Sequence, residues 1–321
     1  MAPSVSQPKD LNGLTLHELS DALCDSGLVA RLLDLALDED LGCGGGGADI
    51  TSEVAIPADH RSRFHVVARK AGVASGLIPL YELTNRWPEI AYAPTVRDGD
   101  RIEPGQVVAR IAGPTRRVLG IERIYLNLLG RLSGIATRTA MFVEVMGTGH
   151  RAHLYDTRKT TPGLRVLEKY AVRCGGGRCH RFGLHDAVLL KDNHIAHVPL
   201  AGLGAFVADV SRKARAIWSS GPAPLLKPFV EVEVDTLDQF AEILKVEPGL
   251  VDIVLLDNMG TEMLSRAVAM RDGAGSNIEL EASGGVTLES IRAIALTGVE
   301  RISVGSITHG ATVLDFGLDA V

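Results

Sequence analysis

The segment FVEVEVD (229–235) decides the fold together with five others of the same character: HLYDT (153–157), AVLLKDN (187–193), DIVLLDN (252–258), IELEASG (278–284) and RISVGS (301–306). Each is a short apolar run that ends in polar residues or glycine, and a helical pattern follows it. This repetition of strand, loop and helix predicts a parallel α/β barrel or, as the alternative, an open doubly wound sheet. In either fold the functional site lies at the carboxyl ends of the strands.

Polar, charged or glycine residues stand at all six predicted strand ends. A single strand-end aspartate often caps the next helix, and a strand-end lysine often pairs with it. Six such ends together favour a functional rim that collects cations, carboxylates and bare backbone amides. The residues are Asp156 to Lys159, Lys191 to His194, Glu231 with Glu233, Asp257 with Asn258, Ser283 to Gly285, and Gly305 with Ser306.

The stretch from Arg151 to Lys191 is basic within an acidic chain. It holds nine Lys or Arg residues against three acidic ones, whereas the whole chain has a net charge of −6. A solvated charged face is the alternative explanation. However, Thr160 to Gly163 and the triplet Gly175 to Gly177 are residues that shape loops, which an exposed helix does not need. The stretch therefore predicts a site that attracts phosphate or carboxylate groups.

The last two predicted strands end in glycine-bearing loops, at 283–285 and 304–306. Barrels commonly build a phosphate site there from loop amides and a helix amino terminus. A phosphorylated substrate is therefore expected. Glu233 and Asp257 end neighbouring strands, and their carboxylates suit sugar hydroxyls or a magnesium ion bound through water.

Composition narrows the class of protein. The chain has 321 residues, 46% of them hydrophobic but only 4% aromatic, which is typical of an α/β protein with strands buried on both faces. No apolar run is long enough for a membrane span, and no secretory signal is recognisable, so we expect a cytoplasmic protein. The acidic total argues against nucleic acid as the main partner. The four cysteines are expected to remain thiols, and zinc at Cys174, Cys179 and His180 is disfavoured by the spacing.

The amino-terminal half has a different organisation. Residues 1 to about 13 read as a disordered tail, and helices are predicted near 14–25 and 28–40. The tract from Gly42 to Gly47 lacks the features of a phosphate loop and reads as a connector. Short β runs between 63 and 111 surround one helix, and residues 115–147 predict a helix or a helix pair bent near Ser133 and Gly134.

Several of these motifs together resemble one enzyme family, quinolinate phosphoribosyltransferase. The motifs are DTRKTTPGLR (156–165), LEKYAVR (167–173), HR (180–181), LKDNHI (190–195), VEVEVD (230–235), LLDN (255–258), SGG (283–285) and VGSITHG (304–310). The resemblance continues upstream through residues 40–51 and ERIYLNLLGRLSGIAT (122–137), so it covers the chain from about residue 29 onward. One departure is Cys179, which stands where the family usually has asparagine.

The resemblance implies a fold, a reaction and a set of site residues. It implies an α/β sandwich domain at 28–147, after a tail and short helix at 1–27, and a barrel of fewer than eight strands at 148–321 whose terminal tail packs back on the first domain. It implies phosphoribosyl transfer from phosphoribosyl pyrophosphate to quinolinate with loss of CO2, in NAD biosynthesis, by a homodimer with shared active sites or a higher homo-oligomer. Mg2+ and no organic cofactor are expected, with Glu233 and Asp257 as its ligands through water, and the expected catalytic residues are Lys159, Lys191, Glu233 and Asp257. The implied contacts are Arg123 from the partner, Thr157, Arg158, Lys159, His180, Arg181 and Lys191 for the dicarboxylate, Glu233 and Asp257 for ribose and metal, and Ser283, Gly284, Gly285, Val304, Gly305 and Ser306 for the phosphate.

Two other functions remain open at this point. Lys159 and Lys191 at strand ends would suit a Schiff-base aldolase, although their polar surroundings do not favour a depressed lysine pKa. A catalytically silent anion-binding relative is the second alternative. The carboxylates of Glu233 and Asp257 argue against it, because anion binding gains nothing from negative charge in the same rim.

Overall fold

The structure, a computed structural model, describes residues 10–43, 47–220 and 227–321, which fall into two compact units. The barrel unit comprises residues 10–13, 142–158, 178–220 and 227–304, and the antiparallel unit comprises residues 14–43, 47–141, 159–177 and 305–321. The start of the predicted disordered tail (1–9) and the centre of the glycine tract (44–46) lie outside the described residues. The domain boundaries expected at 27/28 and 147/148 stay predictions.

Six parallel strands form the sheet of the barrel unit. Their order is β6-β11-β10-β9-β8-β7, and β6 and β7 are not paired with each other. The predicted fold class, an α/β protein with an incomplete barrel, is confirmed. The strands are β6 (His153–Tyr155), β7 (Val188–Leu190), β8 (Val230–Val234), β9 (Ile253–Asp257), β10 (Glu279–Ser283) and β11 (Arg301–Ser303).

A contact between distant positions of this sheet shows that it curls. Arg178 forms a parallel bridge with Tyr155, so the segment that contains His180 runs beside β6 at one edge of the sheet. Nevertheless, Nε2 of His180 lies 2.9 Å from Oε2 of Glu231 on β8, next to the opposite edge. A flat sheet would separate these residues by about five strand spacings of roughly 4.8 Å each. The interior face of the sheet therefore closes on itself.

Alternation along β8 explains why a strand with two glutamates is buried throughout. Glu231 and Glu233 project to the interior of the barrel, and the three valines between and beside them project to the other face. All five residues are buried, and helices α8 and α9 pack on this strand. The helices of the barrel unit are α7 (Asp192–Ile195), α8 (Leu203–Ser220), α9 (Leu237–Ile243), α10 (Thr261–Gly273) and α11 (Ile291–Ala295), with a 3₁₀ turn at Leu200–Gly202.

The antiparallel unit contains a four-stranded sheet of order β12-β1-β5-β3 and a two-stranded sheet of β2 and β4. The last strand of the chain, β12, pairs with β1, with Phe64 opposite Ala320 and Ala68 opposite Phe316. The strands are β1 (Arg61–Ala68), β2 (Gly72–Val73), β3 (Ala91–Pro94), β4 (Arg101–Ile102), β5 (Val107–Pro114) and β12 (Phe316–Ala320).

Helices cover most of the remaining antiparallel unit. The two predicted amino-terminal helices are confirmed as α1 and α2, and α1 begins with a reciprocal capping box between Thr15 and Glu18. The helices are α1 (Leu16–Cys24), α2 (Leu28–Leu41), α3 (Ile50–Ala55), α4 (Tyr81–Thr84), α6 (Arg165–Cys174) and α12 (Ser306–His309), together with α5 (Thr115–Met146), which ends within the ranges of the barrel unit.

Helix α5 is continuous, so of the two predicted forms the single helix is correct. Its glycines serve close packing instead of a break. A Cβ at Gly134 would lie 1.9 Å from the carbonyl oxygen of Thr312, and one at Gly130 would lie 2.6 Å from that of Leu314. These two glycines, one turn apart, leave room for the backbone of the carboxyl-terminal segment on α5. In the described ranges, no helix combines the length and apolar character that a bilayer crossing requires.

Candidate active site

The carboxyl end of the barrel sheet carries an ion pair between neighbouring strands. Leu190 lies opposite Val232, so the next residue, Lys191, comes beside Glu233. Nζ of Lys191 lies 2.6 Å from Oε2 of Glu233. The Lys191 side chain is 47% exposed and the Glu233 side chain 9%. Two of the predicted catalytic residues therefore meet at the rim, one open to solvent and one largely enclosed.

Asp257 and the glycine loop meet at the next two strand ends. Asn258 has a left-handed backbone, with φ of 52°, and its Nδ2 donates to Oδ2 of Asp257 at 2.6 Å. Its backbone N–H donates to the carbonyl of Ser283 at 2.9 Å. Gly284 has φ of 90°, and a Cβ there would lie 2.2 Å from Oδ1 of Asn258. The position therefore requires glycine both for its backbone conformation and for the space beside it.

The neighbouring Gly285 is different. Its φ of 61° also favours glycine, but a Cβ at this position would meet nothing within 4 Å. The backbone here is exposed and faces open space. An anion can approach such a loop closely, as expected for a phosphate site.

The last predicted strand-end group divides between the two units. Val304 is buried in the barrel unit, where its N–H donates to the carbonyl of Tyr155 at 3.0 Å. Gly305 and Ser306 belong to the antiparallel unit and precede and begin α12. There the carbonyl of Ser306 accepts a hydrogen bond of 2.7 Å from Nε of Arg138.

Two arginines of the predicted dicarboxylate group affect each other. Thr157 is half-buried and Arg158 is exposed after β6, whereas Arg181 is buried and donates from NH1 to the carbonyl of Ala187 at 3.0 Å. Burial lowers the pKa of Arg181, and the positive charge of Arg158 lowers it further. Two guanidinium groups held this way form a region where an anion relieves repulsion.

The loop that carries Lys159 is held by a buried ion pair in the antiparallel unit. Oε1 of Glu168 accepts from Nε and NH2 of Arg131 at 3.0 and 2.8 Å, and its Oε2 accepts from the N–H of Thr161 at 3.2 Å. The hydroxyl of Thr308 donates to the carbonyl of Lys159 at 2.7 Å. Arg131 and Glu168 were not singled out from the sequence, although both lie within motifs of the family resemblance.

Arg123 belongs to the antiparallel unit. It lies on α5 with its side chain 68% exposed, and its NH2 is 2.9 Å from Oε1 of the adjacent Glu122. An ion pair between a solvent-exposed arginine and a half-buried glutamate next to it in sequence contributes little to stability. The guanidinium is therefore accessible to another molecule.

A second layer of charged groups lies one step below the rim, on the interior face of the same strands. It is called the buried network here and consists of His180, Glu231, Glu281 and Arg301. Nε of Arg301 lies 2.6 Å from Oε2 of Glu281, and Nε2 of His180 lies 2.9 Å from Glu231 and 3.5 Å from Glu281. The two glutamates are completely buried.

The buried network corrects the expected position of Glu231. The sequence analysis placed Glu231 at the rim with Glu233. In the structure it lies two residues before Glu233 on the same strand, and its side chain is buried inside the barrel. Glu281 and Arg301 were missed, although a usable signal exists. Charged residues at alternate positions of buried strands indicate a charged interior face.

Neighbouring charges shift the pKa values of Glu281 and His180 within the buried network. Burial opposes ionisation of Glu281, but the charges of His180 and Arg301 outweigh it and lower the pKa of that carboxyl. Burial disfavours an imidazolium, yet the carboxylates of Glu231 and Glu281 outweigh it and raise the pKa of His180. Nδ1 of the same ring accepts the N–H of Arg181 at 2.8 Å, a hydrogen bond that only the neutral ring with its proton on Nε2 can accept, so this contact opposes the protonation that the two glutamates favour.

Cys179, the departure from the family pattern, has a defined environment. Its N–H donates to Oδ1 of Asn12 at 2.8 Å, and its carbonyl accepts from Nδ2 of Asn12 at 3.0 Å. The thiol is buried. The backbone of the residue before His180 is thus fixed by a side-chain amide from the start of the chain.

A curled parallel sheet with cations, carboxylates and open glycine backbone at its strand ends defines an α/β enzyme that handles anionic small molecules. Two family models match the chain: quinolinate phosphoribosyl transferase, N-terminal domain, over residues 49–133, and quinolinate phosphoribosyl transferase, C-terminal domain, over residues 135–319. The chain belongs to the quinolinate phosphoribosyltransferase family.

Similar proteins carry corresponding names. A nicotinate-nucleotide pyrophosphorylase [carboxylating] of Mycobacterium leprae is 39% identical, with 94% of this chain and 99% of that protein covered. A probable enzyme of the same name from Bacillus subtilis is 37% identical, with coverage of 91% and 93%. The solved nicotinate-nucleotide pyrophosphorylase from Francisella tularensis superimposes with a TM-score of 0.78 at 32% identity and coverage of 98% and 100%. NadC from Streptococcus pyogenes gives a TM-score of 0.77 at 35% identity and coverage of 91% and 97%. The predicted family and enzyme class are confirmed.

Proposed function

We propose that this chain transfers the phosphoribosyl group of phosphoribosyl pyrophosphate to quinolinate, giving nicotinate mononucleotide, pyrophosphate and CO2. The observation that carries the proposal is the rim of the barrel. Lys191 and Glu233 form an ion pair there, and Asp257 lies beside an open glycine loop. This arrangement offers separate places for anions and for a sugar. The family membership supplies the identity of the substrates.

The basic residues form the dicarboxylate half of the proposed site. Arg158, Lys159, Arg181 and Lys191 supply positive charge, and Arg gives bidentate geometry to a carboxylate. The lowered pKa of Arg181 beside Arg158 supports this assignment, because bound carboxylates compensate the repulsion between the two cations. These groups orient a dianion and are not required to transfer protons.

The acidic residues and glycines form the phosphoribosyl half. Glu233 and Asp257 face the ribose in this proposal, with Ser283 to Gly285 and Val304 to Ser306 for the 5-phosphate. The carboxylates end adjacent strands and offer hard oxygen donors, which fit Mg2+ bound through water. When bound, Mg2+ would supply charge neutralisation for the pyrophosphate.

The reaction follows from charge development. Departure of pyrophosphate leaves positive charge on the ribose, which the carboxylates of Glu233 and Asp257 stabilise. The pyridine nitrogen then bonds to the anomeric carbon. The adjacent carboxylate then leaves as CO2, its electron pair stays on the ring carbon beside the positively charged nitrogen, and a proton from solvent bonds to that carbon to complete nicotinate mononucleotide. Nζ of Lys191 lies 2.6 Å from Oε2 of Glu233 and so places a positive charge beside this largely enclosed carboxylate.

Incubation with quinolinate, phosphoribosyl pyrophosphate and Mg2+ tests the proposal directly. We expect nicotinate mononucleotide and an equal amount of CO2, and absence of both would refute it. Asp257→Asn should abolish turnover, whereas a silent anion binder would keep its affinity. Borohydride with a carbonyl substrate tests the aldolase alternative, for which a covalent adduct on Lys159 or Lys191 would be the evidence.

We also propose a homodimer in which Arg123 enters the partner's site. Its 68% exposure on α5 supports this, since the guanidinium is available to a second chain. The Arg123→Ala and Asp257→Asn proteins should each be inactive. When the two are unfolded, mixed in equal amounts and refolded together, about a quarter of the wild-type activity should return, because half of the dimers then contain one chain of each kind and hold one intact site. No recovery would exclude shared sites. The cytoplasmic location stays a prediction.

A further inference from the structure

We propose that His180 is a positioning residue that fixes Arg181 for the dicarboxylate, and that the buried glutamates Glu231 and Glu281, with Arg301, hold His180 in turn. The inference rests on the proposed function, within which it assigns the residues behind the substrate contact. It also replaces the expected role of His180 as a direct substrate ligand.

Both nitrogens of the imidazole are engaged within the protein. Nδ1 accepts the backbone N–H of Arg181 at 2.8 Å, and Nε2 lies 2.9 Å from Oε2 of Glu231. The side chain is 6% exposed, and the ring packs edge to face against Phe229 with centroids 5.5 Å apart. The backbone N–H of His180 donates to Oδ1 of Asp156 at 2.7 Å. These contacts point the hydrogen-bonding capacity of the ring at Arg181 and Glu231 instead of the rim.

Arg181 is consequently restrained at both ends. His180 accepts its backbone N–H, and the carbonyl of Ala187 accepts from its guanidinium at 3.0 Å. Asp186 fixes the intervening turn, since its carboxylate accepts the N–H groups of Phe182 and Gly183 at 2.6 and 2.9 Å. A guanidinium ordered before the ligand arrives loses little entropy on binding a carboxylate. The gain in affinity should therefore appear in quinolinate binding.

The rest of the buried network keeps the two glutamates oriented toward the ring. Arg301 contacts Oε2 of Glu281 at 2.6 Å and lies 3.7 Å above the ring of Tyr155. It supplies the positive charge that two buried carboxylates need. His180, Glu231 and Glu281 also have the donor atoms and proximity of a metal site. Arg301 already donates a hydrogen bond to Glu281 and supplies a positive charge inside the cluster, which favours a network of ion pairs over a bound cation.

Two substitutions at His180 separate positioning from direct contact. Asn places an oxygen near the Nδ1 position and retains an acceptor for the Arg181 N–H, whereas Ala retains none. We expect His180→Ala to raise the quinolinate KM at least about tenfold, the equivalent of one lost hydrogen bond to a charged group, with little change in the KM for phosphoribosyl pyrophosphate. His180→Asn should recover most of that loss. Equal loss in both variants would overturn the proposal.

Glu231→Gln tests the action through His180 at a residue that is buried beneath the rim. We expect a rise of about threefold to tenfold in the quinolinate KM, with kcat little changed. Glu247→Gln is the matched control, because it removes the same charge from an exposed pair with Arg212 and should change neither constant. A Glu231→Gln protein with the wild-type quinolinate KM would refute the network's role.

Two binding measurements keep the outcomes distinct. Calorimetry with quinolinate alone should show binding to wild-type protein; if neither binding nor turnover occurs, the proposed function fails. If wild-type and His180→Ala proteins bind equally well, only the positioning role fails. Titration with Zn2+ should show no stoichiometric binding that His180→Ala removes, and such binding would identify a metal site in place of the network.

Discussion

Glu231 and Glu233 lie on the same strand, point to the same face and are two residues apart, yet they have different environments. Glu233 reaches the rim and pairs with a half-exposed lysine, Lys191. Glu231 is completely buried against His180, with Glu281 and Arg301 nearby. A difference of two residues along the strand therefore separates a carboxylate at the rim from one that belongs to the buried network.

The comparison shows that the depth of a carboxylate in the barrel, not its residue type, decides whether it lies at the rim or contacts only other protein groups. A carboxylate at the rim can stabilise charge that develops on a substrate, because it borders the space where substrate binds. A carboxylate one layer down reaches only protein groups, and its ionisation depends on compensation from them. Substitutions in the two layers should consequently affect different measurements.

The largest effect is expected for Glu281→Ala in the buried layer. It leaves the guanidinium of Arg301 without its 2.6 Å partner in an enclosed position. Breaking such a pair from one side costs about 3–5 kcal/mol of unfolding free energy, which urea denaturation measures. Glu247→Ala, at the exposed pair, should cost less than about 1 kcal/mol. Similar decreases in unfolding free energy for the two variants would mean that burial of the Glu281–Arg301 pair does not increase the cost of breaking it.

Glu233→Gln should produce the opposite profile at the rim. We expect kcat/KM to fall about 100-fold to 1,000-fold, because in the proposed site this carboxylate faces the ribose, on which positive charge develops. The unfolding free energy should change by less than about 1 kcal/mol, since Lys191 remains solvated. Steady-state kinetics and urea denaturation on the same preparation check both parts. A large decrease in the unfolding free energy without a decrease in specific activity would reverse the assignment of the two layers.

The smallest effects separate two adjacent glycines of the rim. Gly284→Ala and Gly285→Ala each force alanine into a left-handed backbone, at about 1–2 kcal/mol. Gly284→Ala should cost more, because its Cβ would lie 2.2 Å from Oδ1 of Asn258, whereas the space beside Gly285 is open. Thermal denaturation should rank them in that order.

Adding Asn258→Gly tests the cause of that difference. Glycine removes the clashing side chain and tolerates the φ of 52° at position 258, so it should restore part of the stability of Gly284→Ala but not of Gly285→Ala. Equal effects on both backgrounds would exclude the contact as the cause.

Much of the fold could be predicted from local patterns in the sequence. All six strands of the barrel sheet fall within segments identified by their apolar runs, because a buried strand is recognisable from a few consecutive residues. The rim was accessible for a similar reason. Parallel strands bring their carboxyl ends to one edge, which places Lys191 beside Glu233 once their strands are neighbours.

The contacts that hold the rim residues in place could not be predicted in this way. His180 meets Glu231 only because the sheet curls, and Glu168, which accepts from the Thr161 N–H in the loop of Lys159, pairs with Arg131, 37 residues earlier in the chain. Such pairings depend on the three-dimensional path of the whole chain. No local period encodes them.

The sequence by itself determined the parallel α/β fold, the family and the residues gathered at the strand ends, since these depend on short-range periodicity and on motifs in fixed order. Only the tertiary structure decided which charges face substrate space and which are enclosed. The reason is physical: alternation along a strand assigns a side chain to a face, but its depth on that face, and hence its solvation and partners, is set by the closure of the barrel.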